Sequence, residues 1–158
     1  MYLWAMRQFK YLLFFLIINF GGLAIGSLLM DGGPKAFWYT NLNQAPWTPP
    51  GWVFGFAWTT IMICFSLYMV FLLNNKKTKL IAVLFTLQFI LNVSWNFVFF
   101  NLHQVALGLM VILALTGLTF FFLLNYKDVL KRKSLLILPY VVWMCIASSL
   151  NLYILIYN

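Results

Sequence analysis

Gln88, Asn92, Trp95, Asn96 and Phe99 recur at three- and four-residue spacing inside an otherwise apolar run, which places three carboxamides and two rings along one helix face. The chemistry open to such a face is hydrogen bonding by neutral groups and stacking on rings, not proton transfer. Lipid would not tolerate it, so it points at other helices or at a cavity. The carboxamides then either bond between helices, at about 0.6 kcal/mol each, or hold a ligand. Two more stripes pair an indole with small neighbours: Gly51, Phe54, Gly55, Trp58 and Met62, and Pro139, Trp143, Ala147 and Asn151 at four-residue steps. Each lets helices approach closely or leaves a slot walled by an indole.

These stripes belong to a chain of 158 residues that is 65% hydrophobic and 8% charged, with apolar runs of about 20 residues along its length. The runs lack the alternation of barrel strands and are about twice strand length, so each satisfies its own backbone in a bilayer as a helix. Five spans are predicted, near residues 9–30, 50–73, 80–100, 105–126 and 135–157, in one domain covering 1–158. The expected fold class is an all-α integral membrane bundle of five transmembrane helices. The first span is long, continuous and without a small-residue cleavage site, so it reads as retained rather than as a signal peptide. Residues 43–58, NQAPWTPPGWVFGFAW, read as a helix entrance at the membrane surface. Pro49 and Pro50 are expected in its first turn, where their missing N–H groups would be unpaired anyway. Trp47, Trp52 and Trp58 suit the boundary between headgroups and hydrocarbon.

The basic residues orient the bundle. Arg7 and Lys10 flank the start of the first span, Lys76, Lys77 and Lys79 separate the second from the third, and Lys127, Lys131, Arg132 and Lys133 separate the fourth from the fifth. Lys35 alone falls on the other side. Nine against one predicts a cytoplasmic N-terminus and an outside C-terminus. The formal charge of +8 is therefore topology and not nucleic-acid binding. Such a surface also attracts anionic lipid, at roughly 1 kcal/mol per residue, although topology suffices to explain it. Leu124, Tyr126 and Lys131 fit a loose cholesterol pattern that many juxtamembrane segments share. The lysine- and asparagine-rich loops, and the lack of a leader, fit a bacterial cytoplasmic membrane.

Apart from Lys10, at the very start of the first span, no Asp, Glu, Lys, Arg or His lies inside the predicted spans, which argues against a proton relay, a voltage sensor or an ion-coupled pump. Asp31 and Asp128 are the only acids, both in loops, so a paired-carboxylate hydrolase is excluded by count. His103 is the sole histidine and sits in a short loop, where it reads as polar punctuation. No bis-histidine haem or histidine-rich metal site can form within one chain, and no metal site is expected. Cys64 and Cys145 lie mid-span and read as small packing residues.

WTPPGWVFGFAW at 47–58, LNVSWNFVFF at 91–100 and LPYVVWMCIASSLN at 138–151 together resemble the tryptophan-rich sensory protein family, TspO/MBR, which includes the translocator proteins or peripheral-type benzodiazepine receptors. Three motifs in the right order, over essentially the whole chain, carry the resemblance. It implies a five-helix bundle, commonly a homodimer, whose pocket opens toward the first loop. That pocket binds porphyrins such as protoporphyrin IX and haem, benzodiazepine-type drugs and, in some members, sterols. Carried over, the ligand-binding residues are Trp47, Pro49 and Trp58 from the second span, Asn92, Trp95 and Phe99 from the third, and Trp143 and Ala147 from the fifth. Phe54 joins them from the same stripe as Trp58, and Tyr39 from the first loop as part of a lid. Asn92 and Ser27 would hydrogen-bond a macrocycle stacked on indoles, with its propionates meeting Lys35.

The leading functional expectation is a porphyrin receptor with a sensory or stress role, needing no cofactor. Some members are credited with light- and oxygen-dependent porphyrin breakdown, for which Trp58 and Trp143 would be the catalytic residues here. The porphyrin would then be substrate rather than ligand. A transporter of hydrophobic ligands is the third expectation. The C-terminal LNLYILIYN has no basic residue, so the sterol motif of animal members is missing. Ile146, Ser148 and Ser149 stand where the family tends to carry Phe, Thr and Tyr, and Asn96 where Ser is usual, which would alter ligand preference.

Overall fold

A computed structural model describes residues 2–158, with side chains from Met6 onward. The described residues form five long helices, α1 (Tyr2–Leu29), α3 (Gly51–Asn75), α4 (Lys79–Asn96), α5 (Val105–Leu130) and α6 (Leu138–Tyr157), and a short α2 (Phe37–Thr40) in the first connection. Four apolar stretches are long enough to cross a membrane: Met6–Lys35, Gly51–Asn75, Lys79–Asn101 and Val105–Tyr157. The last, of 53 residues, divides into α5 and α6 at a 3-10 segment, Lys131–Ile137. α5 packs chiefly on α6 and α4, while α1 lies against α3 and α4.

The core is aromatic. Phe65 of α3 meets Phe85 of α4, Phe122 of α5 and Tyr140 of α6 at centroid distances of 6.0, 5.8 and 5.5 Å. Polar side chains inside the bundle bond between helices, because hydrocarbon offers them no partner. Asn19 Nδ2 donates to Ser66 Oγ at 2.8 Å, joining α1 to α3, and Tyr68 Oη donates to the Phe122 carbonyl at 2.7 Å, joining α3 to α5.

Helix ends depart from the sequence reading where capping and loop geometry act. α1 starts well before residue 9, since a helix continues readily through a basic headgroup region. The two prolines precede the first turn of α3 rather than occupying it. Pro50 is its N-cap, extended at φ −60° and ψ 151°, and its carbonyl accepts from Val53 N at 2.9 Å. Pro49 is barred from helical geometry by the ring that follows it. The third span is not α-helical to its end: Phe97–Asn101 form a π-helical turn after α4. The wider turn lets consecutive residues Phe99 and Phe100 both point inward. Cys145 is exposed on the outer face of α6 instead of packing, and Cys64 is half-buried.

Glycines set the α1–α4 approach. A Cβ on Gly22 would lie 2.7 Å from the Phe89 ring, and one on Gly26 would lie 2.6 Å from Asn96 Nδ2, whereas one on Gly21 meets nothing within 4 Å. Gly108 makes the corresponding approach of α5 to Phe99, at 3.2 Å. These three glycines therefore serve contacts within the chain. Gly26→Val is expected to lower stability by about 1–3 kcal/mol, read as a lower thermal midpoint in detergent. Gly21→Ala should hold or raise the midpoint, and equal losses in both would show that the α1–α4 spacing is not what Gly26 protects.

Candidate ligand-binding cavity

A cavity of about 290 Å³ lies between α1, α3, α4 and α6, in the half of the bundle next to the 30–50 connection. Each helix contributes through a stripe whose outer neighbours face lipid. α3 supplies Phe54 and Trp58, α4 supplies Asn92 and Trp95, and α6 supplies Trp143 and Ala147. Ser27 comes from the last turn of α1, and Pro34, from the 3-10 turn Gly33–Lys35, borders the cavity on the loop side.

The indoles are held from behind. Phe54 meets Trp143 edge-on, with centroids 5.3 Å apart and planes at 89°. Trp58 packs on Tyr140 at 6.1 Å, and Trp95 stacks on Phe99 at 5.2 Å and 11°. Trp95 Nε1 also donates to Asn151 Oδ1 at 3.2 Å, while Asn151 Nδ2 donates to the Val105 carbonyl at 3.0 Å. Asn151 is thus committed to joining α4, α5 and α6, and is 1% exposed. The Asn92 carboxamide differs. It is 6% exposed, lines the cavity, and makes no hydrogen bond to any other described side chain or carbonyl. Its backbone carbonyl accepts from Asn96 Nδ2 at 3.1 Å, which holds Asn96 at the cavity edge.

No charged side chain lines this cavity, and among the described residues no group of three His, Cys, Asp or Glu is placed to hold a metal. The wall offers π-faces and neutral donors and acceptors. It can bind a flat, largely apolar molecule with a few polar edge groups, and it contains no acid, base or nucleophile pair.

Of the residues singled out in the sequence, Ser27, Phe54, Trp58, Asn92, Trp95, Trp143 and Ala147 come together on this wall. Phe99 does not reach it: 2% exposed, it forms a second layer behind Trp95. Tyr39, on α2, is buried against Phe99 and Phe100 at 6.2 and 5.3 Å, one layer outside the cavity. Burial pushes its phenol above the ordinary tyrosine pKa. Trp47 faces outward, 55% exposed, donating Nε1–H to Ser149 Oγ at 3.1 Å and meeting Tyr153 edge-on. Pro49 is half-buried in the same loop and off the wall. Lys35 is exposed beside Pro34.

Six wall residues, Leu23, Met30, Pro34, Thr59, Phe100 and Ile112, escaped the sequence reading. Ile112 of α5 gives no signal among so many aliphatics, Phe100 reaches the wall only through the π-helical turn, and Met30 only because α1 ends there. His103 also does more than punctuate. Its ring stacks on Trp38 at 4.1 Å and 14°, and Trp38 meets Phe99 edge-on at 5.6 Å, so the α4–α5 loop pins the α2 segment over the bundle.

The sequence pattern of the TspO/MBR family matches residues 14–157, which include every wall residue. The chain belongs to the TspO/MBR family. Its relatives include Tryptophan-rich protein TspO of Chlorobaculum tepidum, 34% identical over 129 residues that span 79% of this chain and 82% of the relative. Protein CrtK of Rhodobacter capsulatus is 30% identical over 132 residues, 81% of this chain and 80% of its own. The human Translocator protein is 28% identical over 135 residues, 82% and 79% of the two chains. This TspO/MBR protein is an integral membrane protein, and the cavity sits where Trp58 of α3, Trp95 of α4 and Trp143 of α6 come together.

Proposed function

We propose that this TspO/MBR chain is a membrane receptor for porphyrins, protoporphyrin IX and haem, and for benzodiazepine-type ligands, with a tetrapyrrole-linked sensory or stress role. The observation that carries the reading is the neutral cavity walled by Trp58, Trp95 and Trp143, with the Asn92 carboxamide turned to it and unpaired among the described residues. Indoles stack on flat π-systems, and a buried amide without a partner gains most from a ligand that supplies one. At about 290 Å³ the cavity lies near the low end of the roughly 300–1,000 Å³ range of ligand pockets. A compact aromatic drug fits within it. A porphyrin is larger and would project past Pro34, which brings its propionates to the Lys35 ammonium.

In this reading the N-terminus is cytoplasmic and the C-terminus outside a bacterial cytoplasmic membrane, by the positive-inside rule, and the protein is a homodimer. No cofactor is required. Titrating protoporphyrin IX in the dark against the purified protein, followed by tryptophan quenching, should give saturable micromolar binding. Asn92→Leu should weaken it about tenfold. Quenching that never saturates, or an affinity indifferent to Asn92, rejects the reading.

The presence of Trp58 and Trp143 on one wall favours a second reading, light- and oxygen-dependent porphyrin degradation. The porphyrin absorbs the light and the protein supplies electron-rich neighbours in fixed positions. Loss of the Soret band under illumination with repeated turnover would select this reading over stoichiometric binding.

A further inference from the structure

A second cleft, of about 370 Å³, lies between α1, α3 and α4 in the opposite half of the bundle from the cavity above. Phe14, Ile18, Leu73, Phe85 and Phe89 make its wall apolar. Its one hydroxyl, Thr86 Oγ1, is already committed to the Ala82 carbonyl at 2.9 Å. The wall therefore selects an apolar occupant. It extends along α4 from Ile81 to Phe89, a rise of about 12 Å and a fair part of one acyl chain.

Each bordering helix runs from this wall into a cation at the same end. On α1, Lys10 lies one turn before Phe14, and on α4, Lys79 lies three residues before Ala82. Just past α3, four residues after Leu73, Lys77 reaches across to α1, with Nζ 3.1 Å from Tyr11 Oη and 5.4 Å from the Tyr11 ring. Asn74 Nδ2 bonds Gln8 Oε1 beside it, holding α1 and α3 together at the mouth. Lys10, Lys77 and Lys79 are all exposed, and neither acid of the chain lies on a helix bordering the cleft: Asp31 follows α1 at its far end and Asp128 is on α5.

An apolar slot topped by three cations at headgroup depth matches one molecule of a bilayer in both halves. We propose that this cleft binds an anionic diacyl phospholipid, one acyl chain between α1, α3 and α4 and the phosphate among Lys10, Lys77 and Lys79. The site is separate from the indole-walled cavity and does not depend on its ligand.

The thermal midpoint of the full chain in neutral detergent, followed against added phosphatidylglycerol, phosphatidylcholine or sodium phosphate, tests this. Phosphatidylglycerol should act at roughly tenfold lower concentration than phosphatidylcholine. In a Lys10→Gln, Lys77→Gln, Lys79→Gln variant the advantage should fall to about twofold or less. A Lys131→Gln, Arg132→Gln, Lys133→Gln variant, neutralised at the same end but away from the cleft, should keep it. Ala82→Trp, which fills the slot from an exposed position, should abolish the response to both lipids. Equal action of the two lipids, equal loss in both triple variants, or a full response to inorganic phosphate would overturn the assignment.

Discussion

A Trp58→Phe, Trp143→Phe variant is expected to bind protoporphyrin IX roughly ten- to a hundredfold more weakly than the parent chain while remaining folded. Each indole gives up part of its stacking surface, and aromatic contacts of this kind are worth about 0.5–1.5 kcal/mol each beyond area, so two together reach this range. Phenylalanine keeps most of the volume. The edge contacts that Phe54 and Tyr140 make with the two indoles, at 5.3 and 6.1 Å, are therefore conserved in kind and the helices stay in place. Absorbance at the Soret band is the proper readout, since the substitutions alter tryptophan emission. An unchanged dissociation constant would mean that porphyrin sits elsewhere. The same variant under illumination separates the two readings: Soret loss that persists belongs to the porphyrin alone, and loss that stops with the indoles belongs to the protein.

Tyr140→Phe is expected to destabilise the bundle by about 2–3 kcal/mol, and adding Gln88→Leu to recover most of that. Gln88 Nε2 donates to Tyr140 Oη at 2.7 Å, both residues are 1% exposed, and Gln88 Oε1 is already buried without a partner. Removing the hydroxyl leaves the whole carboxamide unpaired in hydrocarbon, which costs about 1–3 kcal/mol per orphaned group. Replacing both partners with apolar groups removes the penalty along with the bond. The midpoint should fall by roughly 5–10 °C in the single variant and by less in the double. A double variant no more stable than the single would show that the pair is a specific tie between α4 and α6 rather than a liability of burial.

Neither carboxamide's part could be assigned from spacing. Gln88 and Asn92 are one turn apart on α4 and chemically alike, yet Gln88 ends on a tyrosine of α6 and Asn92 ends on empty space. What separates them is the neighbour on another helix. The same holds for the tryptophans: Trp58 and Trp143 both line the cavity, while Trp47, in the same motif as Trp58, turns outward to Ser149. The prolines were legible as a helix start, but their place one step before the first turn depended on a clash between adjacent rings.

Sequence alone was enough to show an all-helical membrane protein and roughly where its helices run, because hydrocarbon permits only self-satisfied backbone and twenty apolar residues leave no other choice, and its three motifs pointed to the TspO/MBR family. It also placed the polar and indole stripes on inward faces, since lipid excludes them. The tertiary structure decided what those faces meet: which carboxamide is paired, which indoles share a wall, and which glycines let α1 close on α4. Those outcomes depend on contacts between segments distant in the chain, set by the packing of particular side chains, and periodicity within one helix carries no information about its neighbour's register.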